Sequence, residues 1–323
     1  MKKNCVAIIA ALMLAALPAR AQVQMIVNFS AGGPTDIVAR LMQNEMAAAL
    51  GQSVVIRNVA GAGGTIGTAE AARARPDGQT ILFSPVGPVA IQPHFRRDLT
   101  YTLGNFAAIC QVADSPVVMM TQQNSGLRTV ADVVARGRAQ GLDFPFASTG
   151  AGSIPHISMV GLMRLANLQM NHIPYRGSGE VMLAFQQGQV QLFTDQTLLI
   201  RQYDLHPIAF LTEARNPDFP DVPTMREQGY DLVYTIWSGL YAPAGTPEAM
   251  MARLEAACAR TLRNPEFIAG MTRVAQPILY RDRAAVTAFS PAAISRATRT
   301  LPSSGSTATP SCMSTPSFRS EQH

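Results

Sequence analysis

Apolar positions recur along this chain in two rhythms, one near two residues and one near 3.6. The switches between them mark out alternating strands and helices. Met25 to Phe29 reads as the end of a strand, after which Ile37, Val38, Leu41, Met42, Met46 and Leu50 fall at helical spacing. Between them lie a Gly32-Gly33 turn and Pro34, which suits a first helical position because its missing N–H has no partner to lose there. Gly51 supplies the stop. The same device repeats. Ser53 to Asn58 is strand-like, Gly61 to Gly67 is a glycine-rich turn, and an alanine-rich helix follows, closed by Pro76-Asp77-Gly78. Gln79 to Ser84 is a third strand, and SPVGPVAIQP after it is an irregular loop.

Phe106 to Val112 and Pro116 to Thr121 are consecutive apolar strands with no helix between them, so the chain is expected to cross between domains there. A second alternating run follows. It comprises a helix over Thr129 to Gln140, a strand over Phe144 to Ser148, an STGAGS loop, and a helix capped by Ser153 and running to Asn167. Leu168 to Pro174 is a strand, Tyr175 to Gly179 a loop, Val181 to Gln187 a helix and Val190 to Thr194 a strand. Pro207 to Thr212 and Leu232 to Ala242 are extended, while Thr246-Pro247 and Asn264-Pro265 each start a helix.

Such alternation predicts an α/β fold with largely parallel sheets, whose ligands bind beyond the carboxyl ends of the strands. Four polar loops fall at that end: 30–35, 84–88, 148–153 and 175–179. Glycine at 32 and 33 lets a backbone approach a ligand closely, and the helix start behind it favours an anion. Two such half-sites facing each other make a cleft between two domains.

Composition narrows the class. Lys2 and Lys3, the apolar run Val6 to Leu17, and Ala19-Arg20-Ala21 read as a cleavable signal peptide over residues 1–21. That run is too short to span a bilayer. Removing it takes the basic count from 26 to 23 against 21 acids, so the net charge falls from +5 to +2, which is no nucleic-acid surface. The remaining cysteines, Cys110, Cys258 and Cys312, form an odd, sparse set without CxxC. Cys258 lies on the ladder Met250, Leu254, Cys258, Leu262 and reads as core, so a disulfide scaffold or zinc site is not expected. In residues 290–323, Ser, Thr and Pro fill 18 of 34 positions, a composition that reads as disordered.

Catalytic and nucleotide motifs are weak. Gly61-x-Gly63-x-x-x-Gly67 misses the dinucleotide spacing by one and lacks a following acid, so close helix–strand packing is the simpler reading. A P-loop is excluded because every lysine lies within the signal segment. No metal motif and no cofactor is called for. His156 stands three residues after Ser153, but no orienting third group is evident for a nucleophile and base. Asp36 in a first helical turn either complements the dipole or touches a ligand. Asp195 follows an apolar strand at the cleft end, where an acid could receive a ligand hydroxyl or amine. Tyr175 is a cleft candidate, Arg176 could be solvated, and Phe29 either packs or forms a cleft wall.

Taken in order, NFSAGGPTDIVAR, NVAGAGGTIG, PDGQTILFS, ASTGAGSIPH, IPYRGSGE, FPDVPTMREQG and WSGLYAPAGTPE resemble the Bug family of extracytoplasmic solute receptors, over roughly Gln24 to Ala288. The resemblance implies a two-domain α/β periplasmic binding protein of Venus-flytrap type, each domain a largely parallel sheet flanked by helices. It implies a small organic carboxylate as ligand, membrane permease subunits of a tripartite tricarboxylate transporter as partners, and a monomer. Domain 1 is expected at 22–112 plus 223–289 and domain 2 at 113–222. Phe29, Ala31, Gly32, Gly33, Thr35, Asp36, Ser84 and Gly87 would line one lobe; Ser148, Gly150, Ser153, Tyr175, Gly177 and Asp195 would line the other. The chain departs from the family pattern at Arg176, Gly179-Glu180 and Gln191, and in lacking the long terminal helix beyond Phe289, where a reading-frame change is expected. Two alternatives stand beside a transport receptor: an exported enzyme using Ser153 and His156 or a nucleotide, and a receptor signalling to a membrane sensor.

Overall fold

The computed structural model describes residues 22–94 and 96–288. The expected signal peptide and serine-rich tail lie outside them.

Strands β1 (Gln22–Val27), β2 (Ser53–Asn58) and β3 (Thr80–Pro85) pair in parallel with β1 in the middle. The chain then runs into β4, one 17-residue strand from Phe106 to Gln122 where the periodicity predicted two. Strands β5 (Pro145–Ser148), β6 (Asn171–Pro174) and β7 (Leu192–Gln196) form a second parallel trio with β5 central. Strands β8 (Leu205–Phe210), β9 (Thr235–Pro243) and β10 (Ile278–Arg281) complete the set. The strand order is β2-β1-β3-β9-β4-β7-β5-β6, with β8 and β10 also on β4.

Strand β4 therefore serves both halves. Phe106 to Pro116 pairs antiparallel with β9, and Val117 onward pairs antiparallel with β7 and β8. At about 3.3 Å per residue it spans roughly 55 Å. The handover falls at Pro116, which has no N–H to give a ladder. One continuous strand thus changes partners where the periodicity predicted a break between two. The first trio reaches β4 through β9, which is antiparallel to both β3 and β4, whereas the second trio pairs with β4 directly through its own β7, antiparallel.

One buried cluster lies within each half, and a third runs through both. In the first, Met25, Val27, Ile81 and Phe83 meet Val38, Met42 and Met46 from the helix Pro34–Leu50, and Leu254 from the helix Glu248–Leu262. In the second, Val118, Met120, Phe193 and Phe210 pack with Val181 and Phe185 from the helix Ser178–Gln186. The opposite face of that sheet meets Ile157 and Leu162 of the helix Ile154–Ala166. Gly51 ends the first helix in the left-handed region (φ 61°). Thr129 and Asp132 form a reciprocal capping box, and the Asn264 side chain caps the helix Pro265–Arg273.

The cysteine expectation needs correction. Cys110 on β4 and Cys258 on the helix Glu248–Leu262 are joined by a disulfide, Cα–Cα 6.6 Å, and both residues are buried. The helical ladder does place Cys258 in the core, facing the sheet. A residue count without CxxC says nothing about a single long-range pair, which an oxidising compartment permits.

Candidate functional site

The first wall of the cleft is held from behind. Asn28, fully buried, donates from Nδ2 to Thr68 Oγ1 and Ser84 Oγ, both at 2.8 Å. It ties the ends of β1 and β3 to the short helix Thr65–Ala72. Asp36 accepts from Gly32 N–H (3.0 Å), Arg40 Nε (2.9 Å) and Asn58 Nδ2 (2.9 Å). Burial alone would raise its pKa, but these hydrogen bonds outweigh burial and hold it below the usual carboxylate range. Asp36 thus shapes the 30–33 turn from behind the cleft. Ser84 is likewise engaged, accepting from Asn28 and donating to Pro85 O at 2.8 Å.

The 61–67 glycines pack, as the simpler reading holds. A Cβ on Gly67 would stand 2.5 Å from Val59 O and 3.1 Å from Asn28 Cα. Gly63 adopts φ 67° and brings its backbone against Ala151 of the other half.

The second wall is the 148–153 loop. Gly150 N–H donates to Ser148 Oγ (3.0 Å), which is also 2.6 Å from His172 Nε2. Gly152 N–H donates to His156 Nδ1 (3.2 Å), so that nitrogen carries no proton. The two imidazoles lie 4.2 Å apart between ring centres. Burial pushes His156 down to about 4, and burial with the neighbouring His156 pushes His172 down to about 3. Both rings are neutral at pH 7, with His156 Nδ1 an acceptor and His172 Nε2 sharing a hydrogen bond with Ser148 Oγ. Ser153 Oγ donates to Gly150 O (2.7 Å) and caps His156 N–H (3.4 Å), with no bond to an imidazole nitrogen, so these residues form no nucleophile–base pair.

Between the walls lies a narrow cleft with a cavity volume of about 30 Å³. Three helix starts line it: Gly33, Pro34 and Thr35 from the first half, Ser153 with Ile154, and Ser178 from the second. The helix Pro34–Leu50 makes its first internal bond from Ile37 N–H to Gly33 O (3.0 Å), leaving the earlier amides without intrahelical partners. Phe29, Pro85, Pro88 and Ile236 supply apolar walls. No cationic side chain lines the cleft among the described residues. Its acid is Asp195, 3% exposed at the end of β7, which accepts from Ser178 Oγ and from Gln196 N–H (2.9 Å). Burial pushes its pKa up to about 6 against those two bonds.

Of the positions predicted from sequence, Phe29, Gly33, Thr35, Gly87, Ser153 and Asp195 come together on this cleft. Ser84, Ser148 and Asp36 stand behind the walls, and Ala31, Gly32, Gly150 and Gly177 stand at the rim where the halves touch. Tyr175 is half-buried with its N–H on Ser148 O (2.9 Å), outside the cleft lining. Sequence reasoning missed Ser178 and Gln196. Ser178 is the first residue of a helix that begins three positions earlier than the Val181 periodicity indicates, and Ser-x-Glu after glycine was a usable start signal.

The rim is closed by backbone contacts. A Cβ on Gly177 would stand 2.3 Å from Ser30 Oγ, one on Gly179 2.3 Å from Ala31 O, and one on Gly150 2.5 Å from Gly63 N. Tyr203, on the helix Leu198–Tyr203, donates to Gly32 O at 3.3 Å across the same gap. The periodicity predicts no helix at 198–203.

Two halves closing on a cleft walled by helix starts define an α/β binding protein of the two-domain, Venus-flytrap type. Comparison with known proteins agrees. The sequence profile described as tripartite tricarboxylate transporter family receptor matches residues 38–301, and the chain belongs to that family. Protein BugT of Bordetella pertussis is 34% identical over 236 residues, covering 71% of this chain and 72% of BugT. The structure of the periplasmic binding protein BugD superposes with TM-score 0.81 at 31% identity, covering 87% of this chain and 96% of that one. MatC from Rhodopseudomonas palustris, solved with bound malate, gives TM-score 0.82 at 29% identity, covering 88% of this chain and all (100%) of MatC. The chain is a solute-binding receptor, not an enzyme, as its family and structural neighbours are.

Proposed function

We propose that this receptor is exported through the signal peptide at 1–21, binds a small organic carboxylate between its lobes in the periplasm, and delivers it to the membrane permease subunits of a tripartite tricarboxylate-type transporter. The division at 112/113 and 222/223 is part of this reading. The observation that carries it is the convergence of helix starts from both halves on one cleft without a cationic side chain. Partial positive charge at those amides suits one acid group, and hydrogen bonds to a charged acceptor are the strong ones. The malate bound by MatC supports the ligand class.

The mechanism is an equilibrium. An anion touching Thr35 on one side and Ile154 and Ser178 on the other contacts both lobes only when they are closed, so it shifts the population toward closure. A micromolar affinity needs only about 8 kcal/mol. Holding the acid by dipoles instead of arginine keeps release to a permease cheap.

The test is a melting-temperature screen against C3 to C6 mono-, di- and tricarboxylates, with recovery of the ligand. A ligand at about 100 times its Kd stabilises by about 2.7 kcal/mol. A raised melting temperature with unchanged ligand supports the reading; no response across the panel, or turnover of a member, overturns it. For delivery, permease-loaded vesicles should take up the selected acid only with the receptor present, and receptor-independent uptake would count against that step.

A further inference from the structure

The cleft poses an electrostatic contradiction. Its helix starts favour an anion, yet the Asp195 carboxyl is buried in the same wall, and an anion drawn into the cleft would face it in a poorly screened space. The geometry points to a resolution: binding of a carboxylate is coupled to uptake of one proton from solvent onto Asp195. This rests on the carboxylate reading above.

Ser178 makes the exchange constructive. With Asp195 ionised, the Ser178 hydroxyl donates to Asp195 Oδ2 and has no proton for a ligand. Once Asp195 is protonated, its O–H donates to Ser178 Oγ, and the Ser178 hydroxyl turns its own proton to the ligand carboxylate. One proton enters, the wall loses its negative charge, and one donor is gained. Gln196 N–H continues to hold Asp195 Oδ1 throughout.

No other group near Asp195 accounts for such a proton. Across the sheet its register partner on β4 is Val118, and Gln196 is held by Gln276 Nε2 (2.7 Å). Facing it across the cleft are Gly33, Pro34 and Thr35. On its own neighbouring helix, Glu180 is paired with Arg176 (2.7 Å). Asp36 is held ionised by Arg40 and its other donors behind the opposite wall. Tyr203 touches Gly32 at the rim, and burial raises its pKa further from neutrality. His156 and His172, behind the 148–153 loop, are already neutral above pH 5. Burial, set against the bonds from Ser178 and Gln196, brings Asp195 to about 6, so at pH 7 it starts largely ionised and has a proton to gain.

Calorimetry on the unmodified protein decides the matter. The carboxylate selected by the panel is titrated at pH 7.0 in phosphate and in Tris, whose ionisation heats differ. The heat difference should correspond to uptake approaching one proton per ligand, and Kd should weaken toward tenfold per pH unit between pH 7 and 8 while levelling below pH 6. Asp195→Asn should abolish the uptake and flatten the profile, a readout that loss of mere structural support would not produce. Binding without proton uptake, or affinity that weakens as pH falls below 6, overturns the inference and leaves the carboxylate reading intact. If no carboxylate binds, the reading itself fails and the inference falls with it.

Discussion

Replacing Gly177 by alanine separates closure from folding. Gly177 is extended (φ 170°, ψ 171°), a conformation any residue adopts, so the substitution carries no backbone strain. In the closed cleft, however, the new Cβ would stand 2.7 Å from Ser30 N and 2.3 Å from Ser30 Oγ on the opposite lobe. The hydroxyl can rotate away; the backbone nitrogen cannot. Restoring an ordinary separation of about 3.5 Å needs the two loops to part by roughly 0.8 Å. Forcing a methyl into a packed contact costs about 1–3 kcal/mol. Only the closed form bears this, so affinity should fall about 5- to 150-fold, at 1.4 kcal/mol per decade. The melting temperature of the ligand-free protein should barely move if the open form dominates without ligand, because the clash is between lobes and not within one. Calorimetry gives the affinity, and small-angle scattering with and without ligand reports whether the variant still compacts. Affinity within twofold of the parent, with the same compaction, would refute the argument that this contact closes the cleft. Gly150→Ala would be a poorer probe, since φ is 111° there and strain would be mixed with the clash.

Reducing the Cys110–Cys258 bond, which closes a 148-residue separation, should cost about 2–5 kcal/mol and lower the melting temperature in a thiol-containing buffer; no change would mean that the bond is absent from the isolated protein. Asp195 has a folded pKa raised above its unfolded value, so its contribution is fully present below pH 4 and is lost as pH rises through about 6; Asp195→Asn should therefore raise the ligand-free melting temperature at pH 7 and not at pH 3.5. His156 has the opposite sign: its folded pKa is depressed to about 4, so stability present above 6.5 is lost as pH falls toward 4, and His156→Gln should make that acid limb of the melting profile shallower. Because the cleft is lined by dipoles without cationic side chains, raising salt from about 0.05 to 0.5 M should change affinity by less than about twofold; a tenfold loss would reveal an exposed ion pair.

Much of this fold was readable in the residues. The Ile37–Leu50 ladder, Pro34 and Gly51 fix one helix with both ends, and Ser153 and Asn264 mark two more. Those signals are local: periodicity, a cap, a missing N–H. What periodicity missed is non-local. Strand β4 looks like two strands because Pro116 interrupts its ladder, and only pairing with β9 on one side and β7 on the other shows its continuity. The disulfide joins residues 148 apart, a proximity that no spacing rule encodes. The helix 198–203 is six residues long, too short to show a period.

The site was legible at the level of loops and less so at the level of atoms. Glycines and helix starts locate the walls, but whether a side chain faces the cleft or braces it from behind depends on partners elsewhere in the chain. Asp36 turns to Arg40 and Asn58, and Ser148 to His172, whereas Ser178 turns to Asp195 inside the cleft. An acid in a first helical turn and an acid after a strand look alike in sequence; their pKa values move in opposite directions because Arg40 and two further donors outweigh burial at Asp36, whereas burial outweighs two neutral donors at Asp195.

The central claim is that main-chain amides from both lobes hold a single acid group in this gap. A crystal structure with the carboxylate selected by the panel tests it directly. The account predicts carboxylate oxygens within hydrogen-bond distance of amides at the Thr35 start and of the Ile154 or Ser178 start together. An acid group resting on an arginine outside the cleft, or touching one lobe alone, would contradict it.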